Sequence, residues 1–92
     1  MTTTFAVWLK VDEGRVVEAL QEAGQMLDQG EGEVLLDFSS VRRIAPSALV
    51  MMEKLANRAA EKATKVVFRG VNVDIYKVLK LAKLVAPFSF VP

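Results

Sequence analysis

The stretch from Val34 to Ala63 constrains this chain more than any other. A short apolar run, Val34-Leu35-Leu36-Asp37-Phe38, gives way to a polar turn from Ser39 to Ile44. A long amphipathic segment opening Ala45-Pro46-Ser47 follows. The run has the length and branched content of a buried strand. Pro46 suits the first position of a helix, where its missing N–H is not needed. Ser47 comes next, so its hydroxyl lies among the open amides of a helix N-terminus, which carry partial positive charge and favour anions. A serine so placed is a reasonable point for a phosphate to be added and read.

Periodicity extends the reading along the chain. Thr3 to Leu9 predicts a strand, rich in Thr, Val and aromatics. Asp12 predicts an N-cap for a helix from Glu13 to Asp28, with Val16, Val17, Leu20, Ala23, Met26 and Leu27 on its apolar face. Gly30-Glu31-Gly32 makes a turn. Glu33 to Phe38 is the second strand, its consecutive Val34, Leu35 and Leu36 predicting burial on both faces. Pro46 to Ala63 is the second helix, with Leu49, Met52, Ala56, Ala59 and Ala63 as its inward stripe. Lys65 to Arg69 is a third strand closed by Gly70. Asn72 caps a third helix, with Ile75, Val78, Leu79, Ala82 and Val85 inward, and Pro87 stops it. Phe88 to Val91 is a short last strand. Strands alternating with helices predict an α/β domain with parallel neighbours.

Ninety-two residues make a single domain, 1–92. The net charge of +1 lacks the concentrated positive charge of a nucleic-acid binder. The sequence holds no Cys and no His. That removes disulfides, thiolate metal sites, the cysteine nucleophile and the usual general base. The expectation is a chain that is not an enzyme, with no catalytic residue, no metal and no cofactor. Neither a signal peptide nor a membrane span of ~20 apolar residues is found, which predicts a cytoplasmic protein.

The junction of strand, polar loop and helix resembles the STAS domain, the fold of bacterial anti-sigma factor antagonists. In that family the loop-to-helix junction usually reads Asp-Ser-Ser/Thr-Gly. The corresponding residues here are Ala45, Pro46, Ser47 and Ala48, which puts the phosphorylatable position on Ser47. The likeness continues through Lys65-Val66-Val67-Phe68-Arg69-Gly70 into the Val78-Leu79 helix and is weak before Val34. It implies a STAS-like mixed sheet of four to five strands with three helices, mostly on one side. It also implies a protein-interaction module whose partner is a kinase-type anti-sigma factor, released when the loop serine is phosphorylated. A second reading is a cytoplasmic STAS subunit of an anion or lipid transporter, bound to an ATPase or permease without a phosphorylation cycle and meeting the membrane only indirectly.

The candidate contact residues surround Ser47. Ser39, Ser40, Arg42 and Arg43 lie in the loop, the arginines suited to an acidic group or a phosphate. Val50 and Met51 fall beside the inward stripe, and flexible Met suits contact surfaces. Asp37, without a second carboxylate or a base beside it, reads as a turn residue accepting from the Ser39 or Ser40 amide. Lys77, Lys80 and Lys83 form a basic stripe on the third helix, ordinarily a solvated face.

Overall fold

The structure, a computed structural model, describes residues 6–29 and 32–92. It holds four strands, β1 (Ala6–Lys10), β2 (Glu33–Asp37), β3 (Lys65–Arg69) and β4 (Ser89–Val91), and three helices, α1 (Val16–Asp28), α2 (Pro46–Lys62) and α3 (Val73–Leu81). The expected turn at Gly30-Glu31 and strand residues Thr3 to Phe5 lie outside the described residues.

The sheet order is β1-β2-β3-β4, and each strand pairs in parallel with the next. The α/β architecture with three helices is the expected one. Among the described residues, however, the sheet is parallel throughout rather than mixed. Its layout follows from one rule. Parallel crossovers are right-handed, so a chain that always steps to the next position in the same direction must lay every helix on the same face. All three helices accordingly share one core with Val34, Leu36, Phe38, Val66 and Phe68. Phe68 sits at its centre, edge-on to Phe38 at 5.1 Å and to Phe88 at 4.8 Å.

The alternate strand residues face away from the helices. In register, Trp8, Leu35, Val67 and Ser89 make one row, and Lys10, Asp37, Arg69 and Val91 make the next. This corrects the expectation that β2 is buried on both faces: Leu35 is only half-buried. The Arg69 guanidinium lies over the Trp8 ring at 5.6 Å and reaches the Asp37 carboxylate at 3.6 Å.

Three helix boundaries differ from the sequence reading. Glu13–Arg15 is a 3-10 turn, α1 begins at Val16, and Asp12 makes no side-chain capping bond. The buried stripe of α2 is Ala48, Met52, Leu55, Ala56 and Ala59, leaving Leu49 at its flank and Ala63 outside it. Ala63 is instead the left-handed residue, φ 51°, that ends the helix, with Thr64 N–H donating to Ala59 C=O at 3.0 Å. In α3 only Ile75 and Leu79 are buried. Lys83 takes φ 61° and Leu84 N–H donates to Leu79 C=O at 2.8 Å, a reversal that swings Leu84 into the core. Val78 and Ala82, expected inward, are exposed: Val78 flanks the Ile75–Leu79 line that meets the core, and Ala82 falls where the helix has ended.

Candidate functional site

The loops leaving β1, β2 and β3 meet at the carboxyl end of the sheet, the edge where open α/β sheets place their binding loops. Asp37 closes β2 there, and its Oδ1 accepts from the Ser39 N–H at 3.0 Å. The Ser39 amide first, then the Ser39 hydroxyl, hold the Asp37 carboxyl below its ordinary value. Burial opposes this, while Arg69 and Lys10 reinforce it. Asp37 is thus the turn residue its surroundings suggested. Val41 N–H donates to Phe38 C=O at 2.9 Å and tightens the turn, leaving Ser39 and Ser40 exposed. Gly70, at φ 71°, comes so close that a Cβ there would stand 2.9 Å from Ser39 Cβ, so only glycine fits.

The next residues are gripped from both sides. Glu13 Oε1 accepts from the Arg42 N–H at 2.6 Å and the Arg43 N–H at 3.2 Å. Asn72 Nδ2 donates to Arg42 C=O at 3.1 Å and Val41 C=O at 3.4 Å, while its Oδ1 caps α3 by accepting from Ile75 N–H at 2.8 Å. Sequence reasoning placed Glu13 inside a helix and Asn72 only as a cap. Their grip on the loop carries no local signal. With their backbone fixed, Arg42 and Arg43 turn exposed side chains beside an open cleft of about 570 Å³ that Asn72, Asp74 and Val78 also line.

The loop then feeds α2. Ala45 is the N-cap residue in extended conformation and offers no side-chain acceptor; Pro46 opens the helix. Ser47 is exposed in the first turn and Ala48 is buried. Ser47, Met51, Lys54 and Arg58 follow at intervals of four, three and four, so they share one helical face. That face borders α1. Met51, Lys54 and Arg58 line a groove of about 420 Å³ with Leu20, Gln21 and Gly24, and Arg58 closes its far end by pairing with Asp28 at 2.6 Å. Val50 points elsewhere, 55% exposed and opposite the buried stripe. The structure therefore groups Ser47 with Met51, places Val50 on the outer face, and sets Arg42 and Arg43 next to α3. Among the described residues, no cluster of three or more His, Cys, Asp or Glu is arranged to hold a metal, and no helix is long and apolar enough to cross a membrane.

A parallel sheet backed on one face by three helices, with an exposed serine where its second strand leads into a helix, defines a small α/β domain. Residues 12–87 match the family model described as "Mlab, STAS domain", and the chain belongs to that STAS family. No curated protein matches the sequence. Among solved structures, the crystal structure of Thermotoga maritima TM1081, described as a candidate anti-sigma factor antagonist, superposes with a TM-score of 0.71. It is 14% identical, over 100% of this chain and 76% of that one. The NMR structure of TM1081 gives a TM-score of 0.76 at 16% identity, over 98% of this chain and 76% of that one. At such identities the likeness shows the fold.

Proposed function

We propose that this STAS domain is a non-enzymatic protein-interaction module acting as an anti-sigma factor antagonist in a partner-switching pathway. Its contact surface is the Ser39–Ser47 loop with the outer face of α2, and phosphorylation of Ser47 is the control. One observation supports this above the rest: Ser47 is exposed in the first turn of a helix whose N-cap residue supplies no acceptor. The open amides there tolerate a phosphate within the fold. A partner seated on the same turn would meet a charge of about −2 and lose its contact. The partner on this reading is a kinase-type anti-sigma factor, and the setting is the cytoplasm of a bacterium.

A second reading is favoured by Ala45 standing where the family usually has an acid. On it the chain is a cytoplasmic STAS subunit of an anion or lipid transporter, and α2 docks permanently on an ATPase or permease. The test uses the purified chain as bait, with bound proteins identified by mass spectrometry. A kinase-fold partner supports the switch and a transporter ATPase or permease supports the subunit. Capture undiminished by Val50→Glu sinks the α2 surface on either reading.

A further inference from the structure

The outer face of α3 pairs the most exposed large apolar side chain of the described residues with a row of unneutralised lysines. Leu81 is 86% exposed and Val73 is 68% exposed. They stand at intervals of four on either side of Lys77, so Val73, Lys77 and Leu81 form one line along the helix. Tyr76 and Lys80, four apart, form the neighbouring line, and Lys83 follows just past the end of the helix. Tyr76 packs its ring edge-to-face with Phe90, centroids 5.3 Å apart, and keeps part of its surface in solvent. Among the described residues none of the three lysines has a carboxylate partner, and Asp74 at the opposite end is the only acid on the helix. The basic charge is concentrated: a chain of net charge +1 carries three lysines and one acid between Val73 and Lys83.

Lys83 adds a second kind of observation. It occupies the left-handed position of the helix-ending turn, φ 61°, where glycine is the favoured residue. A lysine there strains the backbone, yet keeps a third positive charge within two residues of the end of α3.

We propose that this face of α3 docks on a membrane surface rich in anionic lipid headgroups. The lysines match the negative surface potential, each strengthening binding about fivefold. Their aliphatic stems lie along the surface while Leu81 and Val73 enter the headgroup–acyl boundary and Tyr76 sits at its level. Charge complementarity selects an anionic occupant. A convex helix face with apolar side chains projecting from it suits a fluid lipid surface, which needs no matching socket. The proposal rests on α3 and the turn that ends it, and stands or falls apart from the reading of α2.

The test is cosedimentation of the whole chain with vesicles of phosphatidylcholine, or of equal parts phosphatidylcholine and phosphatidylglycerol. Sedimentation with the anionic vesicles only, weakening as salt rises, is expected. Changing Lys77, Lys80 and Lys83 together to Gln should lower the partition coefficient roughly a hundredfold, and Leu81→Ser about tenfold. Lys83→Gly separates docking from folding: it should raise the melting temperature while lowering partition about fivefold. Equal sedimentation on both vesicles, none on either, or an unchanged triple variant overturns the proposal. Binding to a polyglutamate peptide with no sedimentation on vesicles assigns the stripe to an acidic protein and overturns it equally.

Discussion

Glu13 holds the backbone of Arg42 from 29 residues away in sequence, its carboxylate accepting the Arg42 N–H at 2.6 Å. The Arg43 N–H shares the same oxygen, so one side chain from the first crossover sets the path of the loop that enters α2. Glu13→Ala should destabilise the fold by about 1.5–3 kcal/mol, the range for hydrogen bonds to a charged group. It should also release the Arg42 and Arg43 amides to fast hydrogen exchange while the β3 amides stay protected. Unchanged exchange at those two amides would show that the loop holds itself.

Packing along α2 gives a graded series. Met52 is completely buried, Leu49 half-buried and Val50 opposite the core. Met52→Ala should cost about 2–4 kcal/mol, because the emptied space cannot collapse fully. Leu49→Ala should cost less than that, and Val50→Ala under about 0.5 kcal/mol. Chemical denaturation ranks the three. Leu49 costing as much as Met52 would put Leu49 back in the inward stripe, where periodicity placed it.

Met52, Ala56 and Ala59 lie on the stripe read from periodicity while Leu49 and Ala63 do not, which shows where sequence reading stops. Alternation of strand and helix, Pro46 at the start of α2 and Asn72 at the start of α3 were all legible, because each is a local backbone preference. The flanks of the α2 stripe were not, because Ala48, Leu49, Met51, Met52, Leu55 and Ala56 are all apolar, and which of them complete the inward face depends on where α1 lies. Leu84 was missed for a related reason. The chain reverses at Lys83, a residue with no glycine to mark it. The place of Ser47 in the first turn of α2 was legible from Pro46 and the helix start. The Glu13 and Asn72 grip on Arg42 was not, since contacts 29 and 30 residues apart leave no periodic trace.

Both ends of α2 depart from the usual capping residues, and both should be improvable. Ala45 has the extended N-cap backbone without an acceptor, and Ala63 is left-handed without being glycine. Ala45→Asp should stabilise by about 1 kcal/mol and Ala63→Gly by about 0.5–1 kcal/mol, once glycine's own entropy is set against the relieved strain. The sites lie at opposite ends of a 17-residue helix, so the effects should add. Thermal melting checks this. A loss of stability in Ala63→Gly would mean that the left-handed backbone there is unstrained.

Acid should act through Asp37. The Ser39 amide and hydroxyl lower its folded-state pKa, so folding favours the ionised form. That stabilisation is complete above the unfolded aspartate value and disappears as pH falls through the lower folded value. Asp37→Asn should therefore be less stable than wild type at neutral pH, and the gap should narrow on acidification below the ordinary carboxylate range. Urea midpoints measured for both chains down that range test it. A gap that stays constant would assign the effect to lost packing at the Ser39 turn rather than to charge.

Ser47 separates the two functional readings. Its exposed place in the first turn of α2 lets the fold accept a negative charge, which the helix dipole favours by roughly 0.3–1 kcal/mol. A partner covering that turn cannot accept it, because a buried unpaired charge costs several kcal/mol. Ser47→Glu should melt at or slightly above the wild-type temperature and lose the partner, while Ser47→Ala should bind it and resist release by the partner's kinase activity. Melting each variant beside a calorimetric titration against the isolated partner gives both quantities. If Ser47→Glu binds as tightly as wild type, the interface avoids the first turn of α2, no phosphate there can act as a switch, and permanent docking to a transporter becomes the stronger account. If Ser47→Glu does not fold, the serine is a structural residue of the helix start, and its resemblance to the family's phosphorylated position ends at its place in the chain.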